Sequence, residues 1–194
     1  GPALQGLCQY EGREPLIKRV EPLLKDEARR YPAATLTVAA LRAGQAAVLR
    51  RMSPEQPGVM QRPQGRHFAP YGSVSAMVLQ AWAPPEDLAA LRREYPFEEY
   101  GSGRWRSERE WEARLEAVRR DGYALLPSPD PSGVLCLAVP VFAAGRELFG
   151  SLGMSMPMAE APGRAKDHER LARRLSLAAE EAVGQPENEE KKIC

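Results

Sequence analysis

The chain has 194 residues, 43% of them hydrophobic, with 27 Lys and Arg against 26 Asp and Glu for a formal net charge of +1. That is enough apolar material for one self-sufficient domain and too much for a disordered chain, while the balanced charge argues against a surface built to coat nucleic acid. No apolar run reaches the roughly 18–20 residues of a membrane span, so the sequence reads as that of a soluble protein.

Residues 1–13 read as a protease scar (Gly1-Pro2) and a linker. A helix follows from about Glu14 to Tyr31, with Leu16, Val20, Leu23, Leu24 and Ala28 at helical spacing and Pro15 in its first turn. Pro22 predicts a kink, or a fresh start near Glu21, because an interior proline costs about 3 kcal/mol. Thr35–Leu41 and Ala46–Leu49 read as strands joined by the turn Arg42-Ala43-Gly44-Gln45. Ser53–Pro70 holds Pro54, Pro57, Pro63 and Pro70 and reads as loop or short edge strand.

A short helix is expected from Ser73 to Trp82, stopped by Pro84-Pro85. Those prolines open another through Tyr95, with Leu88 and Leu91 facing inward, and the segment Phe97–Trp105 is rich in turns. The strongest helix signal comes next. Ser107 caps it, Glu110 completes a capping box, Trp111, Leu115 and Val118 form its apolar stripe, and Gly122 ends it. The period then changes to that of strands over Tyr123–Leu126, Val134–Phe142 and Glu147–Met156. Turns are expected at Asp130-Pro131-Ser132-Gly133 and Ala143-Ala144-Gly145-Arg146, which make the last two strands an antiparallel hairpin. A final helix spans Asp167–Val183 with Leu171, Leu175 and Ala179 on one face, and residues 185–194 read as a charged, flexible tail.

This order makes an α+β domain of residues 14–184, with helices packed on a mainly antiparallel sheet. No Gly-x-Gly-x-x-Gly follows a strand, which excludes the dinucleotide folds. Strand alternation places Val134, Cys136, Ala138 and Pro140 on one face, opposite Leu135, Leu137, Val139 and Val141. In the partner strand Ser151, Gly153 and Ser155 share a face, opposed to Leu148, Gly150, Leu152 and Met154. The small, mildly polar face reads either as close packing under a helix or as the floor of a cavity with Cys136 and Ser155 as polar contacts.

Catalysis and metal binding find little support. Cys8, Cys136 and Cys194 have neither disulfide nor metal spacing, and His67 and His168 are too few for a histidine-rich zinc site. Cys136 has no recognisable base and reads as a small buried hydrophobe, so the chain is not expected to be an enzyme, and no cofactor is implied. Arg66, beside the loop residue His67, is placed to meet an anionic group. The Arg104-Trp105-Arg106 trio is a weak nucleic-acid signal.

Several runs together resemble the IclR family of bacterial transcriptional regulators. Arg119-Arg120-Asp121-Gly122-Tyr123-Ala124 matches the family's Arg-x-x-Gly-Tyr-Ala helix end. Gly133-Val134-Leu135-Cys136-Leu137-Ala138-Val139-Pro140-Val141-Phe142 matches its Cys-containing strand, and Leu152-Gly153-Met154-Ser155-Met156-Pro157 its following strand. Gly65-Arg66 and Pro70-Tyr71 fall where the family writes Gly-x-Arg-x-Pro-Leu-His.

The resemblance covers Pro15 to Val183 and implies the C-terminal effector-binding domain, a GAF-like α+β fold. It implies a small organic effector held between the sheet and the Ser73–Trp82 helix. It further implies a cytoplasmic homodimer or dimer of dimers that reaches DNA only through a winged helix-turn-helix domain missing from this chain. The expected effector contacts on the upstream side are Met60, Phe68, Tyr71, Ser73 and Met77. On the downstream side they are Tyr123, Leu126, Cys136, Gly153 and Ser155.

Departures from the family pattern shape the expected ligand. Tyr71 stands where the family has His, Ala76-Met77 replace Gly-Lys, Ser155-Met156 precede Pro157, and Leu126 takes an acidic position. Losing these polar groups implies a fairly apolar or aromatic effector. The alternative is a free-standing GAF-like module that binds small molecules or oligomerises without DNA output.

Overall fold

Helix α1 (Glu14–Arg30) buries Ile17, Val20 and Leu24 along one side. It runs through Pro22 as a single helix, so the expected fresh start near Glu21 does not occur. Both Pro22 and Lys18, whose carbonyl the proline leaves without a helical donor, are exposed, which removes the penalty of burying an unmet acceptor. The structure is a computed structural model that describes residues 14–42, 44–126, 133–143 and 147–184. The scar and linker, residue 43 of the first turn, residues 130–132 and 144–146 of the later turns, and the charged tail all lie outside these described residues.

Strands β1 (Thr35–Arg42) and β2 (Gln45–Ser53) pair antiparallel, and β2 continues four residues beyond the apolar run that announced it. The proline-rich segment supplies the edge strand β3 (Gln56–Gln61) and the two-residue β4 (His67–Phe68), both paired with β2. Pro57 is tolerated because β3 is an edge, where a missing N–H breaks no ladder. Next come α2 (Val74–Trp82), α3 (Pro85–Glu94), the one-turn α4 (Phe97–Tyr100) and α5 (Glu108–Asp121). The sheet is completed by β5 (Ala124–Leu126), β6 (Val134–Phe142) and β7 (Leu148–Pro157), and α6 (Ala165–Gly184) closes the described chain.

The strands form one antiparallel sheet in the order β3-β2-β1-β7-β6-β5, with β4 beside β2. The α+β class expected from the element order is therefore the observed one. Helices cover both faces. Under α1 and α6 lie the large side chains Leu36, Val38, Leu49, Leu135, Leu137, Val139, Leu152 and Met154. On the opposite face α2 and α5 pack over small ones, Ala124 and Ala138 among them, through Val78, Trp111, Leu115 and Val118.

Alternation fails near the start of β7. Leu148 was expected beside Leu152 and Met154, yet it packs with Ala39, Ala46, Ala76 and Leu79 under α2, and Phe149 joins the α1/α6 core instead. The β6–β7 register shifts between Val141 and Phe142, and one extra residue exchanges the faces beyond it.

Local end signals hold. Ser107 Oγ accepts from the Glu110 N–H at 3.2 Å, while Glu110 Oε2 accepts from Arg106 N–H at 2.7 Å, one residue earlier than an ideal capping box. Gly122 takes φ 79°, the left-handed conformation that ends α5. Two ion-pair systems tie α1 down. Arg174 of α6 donates to both Glu27 oxygens at 2.7 and 2.6 Å, and Arg50 of β2 donates to Glu21 at 2.7 Å and Glu14 at 2.6 Å.

Candidate functional site

Two ladder rows on the α2 face build a floor. One runs Arg51–Thr37–Gly153–Ala138 across β2, β1, β7 and β6. The next runs Thr35–Ser155–Cys136–Leu126 across β1, β7, β6 and β5. Alternation puts each row on one side of the sheet, so threonines, serine, cysteine and glycine face the same way. Gly153 is required for the approach of α2: a Cβ there would stand 2.5 Å from Ser75 Oγ and 2.8 Å from Thr37 Oγ1.

Above this floor lies a cavity of about 650 Å³. Its roof is the start of α2, through Gly72, Ser73, Val74 and Ser75. Ser73 caps that helix, its Oγ accepting from the Ser75 N–H at 3.2 Å. The walls add Phe68, Leu126 and Val134, and three arginines, Arg51, Arg66 and Arg104, join the lining. A helix N-terminus and three guanidiniums make the cavity electropositive.

Each arginine is positioned differently. Arg51 is half-buried on β2 and donates to Ser53, Gln61 and Glu55, while its Nε is buried without a hydrogen-bond partner. Arg66 comes from the loop before β4, anchored where Val48 N–H donates to Arg66 O at 2.9 Å. Arg104 sits on the segment between α4 and α5, carried by an aromatic bracket. Trp105 Nε1 donates to Tyr71 O at 2.8 Å, and the Trp105 ring lies 5.2 Å from that of Trp111.

Of the residues expected from sequence, Phe68, Ser73, Leu126, Cys136, Gly153 and Ser155 line this cavity together. Four others do not. Tyr71 is a core residue, its hydroxyl donating to Tyr95 O at 2.9 Å and its ring edge-on to Phe97 and Trp111 at 5.4 Å. Met77 is fully buried beneath α2 in the same cluster. Met60 and Tyr123 pack against the α1/α6 core on the other side of the sheet, with the Arg173 guanidinium 5.6 Å from the Tyr123 ring centre. A large apolar side chain gains most by leaving water altogether, so a site prediction that follows apolar residues drifts into the core.

Thr35, Thr37, Ser75, Arg51 and Arg104 were not expected as contacts. The two threonines alternate on β1, and that spacing is the signal by which the floor was open to being extended one strand further. No local pattern joins the arginines.

The chemistry on offer is binding. Burial pushes the Cys136 thiol above its ordinary value, with Arg104 pulling the other way, so the thiolate is scarce near neutral pH. Neither histidine lines the cavity: His168 is buried in α6 and His67 lies on the other side of β4 from Phe68. Among the described residues no cluster of His, Cys, Asp and Glu is arranged to hold a metal ion. No helix among them is long and apolar enough to cross a membrane.

An electropositive cavity between a helix start and an antiparallel sheet is suited to binding a small molecule. The chain belongs to the IclR family: the family described as "Bacterial transcriptional regulator IclR C-terminal" matches residues 8–182. Solved structures agree on the fold. HmgR of Pseudomonas aeruginosa is 21% identical with a TM-score of 0.66, over 95% of this chain and 73% of that one. The repressor BlcR of Agobacterium tumefaciens is 18% identical at 0.64, over 88% and 68%. The C-terminal domain of KdgR of E. coli is 18% identical at 0.66, over 88% of this chain and 99% of the domain. No curated protein sequence matches the chain.

Proposed function

We propose that this domain senses a small organic acid with an apolar body, and that occupancy is read out by a DNA-binding regulator of which it is the C-terminal part. The observation that carries the reading is the convergence of Arg51, Arg66 and Arg104 with the start of α2 on a cavity whose apolar walls are Phe68, Leu126 and Val134. The apolar walls support the fairly hydrophobic or aromatic effector that the departures from the family pattern implied. The arginines add an acid group to it, because guanidinium forks and helix N-termini favour carboxylates. Cys136, Ser155 and Thr37 supply neutral polar contacts to the floor of such a ligand.

The output would follow from differential affinity. An effector biases the arrangement of subunits only by binding one arrangement more tightly, typically by roughly 1–3 kcal/mol. We place this step in a cytoplasmic homodimer or dimer of dimers whose winged helix-turn-helix domains lie outside this chain. Catalysis and bound cofactors play no part in the proposal.

A thermal-shift panel on the purified domain tests it. Benzoate and phenylacetate are expected to raise the melting temperature more than glyoxylate does, and benzyl alcohol, the uncharged counterpart, to have little effect. Arg104→Ala is expected to weaken the response to benzoate by about tenfold or more, the worth of one charge-assisted hydrogen bond. Equal stabilisation by benzyl alcohol and benzoate, or a shift untouched by Arg104→Ala, would overturn the assignment.

A further inference from the structure

Of the three arginines on the effector cavity, Arg51 is the one held by a carboxylate among the described residues. It sits on β2 opposite Thr37 of β1 and Gln61 of β3, with 15% of its side chain exposed. Its guanidinium is drawn toward the turn that follows. Nη1 donates to Ser53 Oγ and to Gln61 Oε1, both at 2.9 Å, and Nη2 donates to Glu55 Oε2 at 3.0 Å. The Gln61 amide donates to the same Ser53 oxygen at 2.9 Å, which closes a bracket across the β2–β3 turn.

Glu55 does not line the cavity and reaches Arg51 from the turn. The Ser53 hydroxyl, the backbone N–H of Glu55 itself and Arg51 hold the Glu55 carboxyl below its ordinary value, so it is ionised at neutral pH. It is the same chemical group that an acidic effector would bring. A guanidinium carries one positive charge, and two carboxylates on either side of it repel one another. The Arg51 fork is also half used: Nε–H, next to Nη2, is buried with no acceptor, while Glu55 takes the other prong. Because Glu55 is 69% exposed, its hold on Arg51 is that of a surface pair, strong enough to compete and weak enough to yield.

We infer that Glu55 is a specificity-determining residue of the effector cavity, a tethered carboxylate that competes with the acid group of the effector for Arg51. The inference rests on the reading of the cavity as a site for an organic acid. Every acid meets the same cost at Arg51, and one whose body gains from Phe68, Leu126 and Val134 offsets it. A small acid without such a body binds below the threshold. An uncharged ligand is indifferent to Glu55.

Isothermal titration with sodium benzoate, and with benzyl alcohol as the uncharged counterpart, tests the role of Glu55. Glu55→Ala is expected to bind benzoate about two- to fivefold more tightly than the wild type, the worth of an exposed ion pair, and benzyl alcohol no better. Glu180→Ala, which removes an exposed carboxylate from α6 on the other face of the sheet, should leave benzoate affinity unchanged. In an Arg51→Gln background, Glu55→Ala should bring no gain, because the competition runs through Arg51. Unchanged or weaker benzoate binding in Glu55→Ala, an equal gain in Glu180→Ala, or a gain that persists in Arg51→Gln would overturn the inference. If Arg104→Ala still weakens benzoate binding, those results leave the acid-binding cavity standing and remove Glu55 alone. Absence of benzoate binding in the wild type and Glu55→Ala alike would overturn both.

Discussion

Removal of Arg174 isolates one term of the α1–α6 contact. Glu27 is 2% exposed, and Arg174 meets both of its oxygens with parallel hydrogen bonds of 2.7 and 2.6 Å. In Arg174→Ala the carboxylate stays buried with Arg30 at 3.6 Å as its remaining ionic partner, and the Arg30 side chain is 54% exposed. Stripping one partner from a buried pair costs about 3–5 kcal/mol. The Arg174 side chain is itself 36% exposed, so water reaches the site and the expected loss falls to about 2–3 kcal/mol. At about 2–4 °C per kcal/mol for a domain of this size, the melting temperature should drop by about 4–12 °C.

Chemical denaturation of the wild type, Arg174→Ala and the double variant Glu27→Leu/Arg174→Leu measures it. The double variant is expected to recover most of the loss, because it leaves no buried charge behind. A single variant within about 0.5 kcal/mol of the wild type would refute the reasoning, since that is the range of an ordinary surface change. A double variant no better than the single would show that packing, rather than an orphaned carboxylate, sets the cost.

Two further outcomes are open to measurement. Gly150→Ala would set a methyl 2.5 Å from the Ala39 carbonyl oxygen of β1, a backbone atom that cannot turn aside, and thermal melts should show a loss of about 1–3 kcal/mol. Gly153→Ala, which meets only the Ser75 and Thr37 hydroxyls, should lose less, and the opposite ranking would contradict the sheet register. At the start of α6 the backbone N–H of Arg164, together with Arg170, holds the Asp167 carboxyl below its ordinary value of 3.8. Its stabilisation is therefore present above that value and lost as pH falls through the lower folded one. The gap between wild type and Asp167→Asn in urea melts should narrow as the pH drops below 3.8, and a gap unchanged on acidification would count against the bond.

Much of the candidate site was legible because it lies on strands. Cys136, Gly153 and Ser155 were placed on one face by period-two alternation, and their cross-strand pairing followed from the hairpin. Ser73 was legible as the residue before a helix. Tyr71 and Met77 fell at positions where the family resemblance put cavity walls, but an aromatic ring with a Tyr95 carbonyl in reach and an apolar side chain under α2 are both served better by burial. Arg104 was visible only as one of two arginines flanking a tryptophan. Its place over the cavity depends on the Trp105–Tyr71 hydrogen bond, which joins segments 34 residues apart.

What the sequence determined by itself were the features governed by neighbours within about four residues: the cap at Ser107, the left-handed stop at Gly122, the strand faces, and through their order the α+β class and the family. Tertiary structure alone decided that Arg51, Arg66 and Arg104 meet over one cavity, that Leu148 changes face at a register shift, and that α1 passes through Pro22. Each of these depends on what lies across the sheet or outside the helix. Caps and alternation are encoded in short-range geometry, whereas the meeting of distant charges depends on the register and packing of the whole chain.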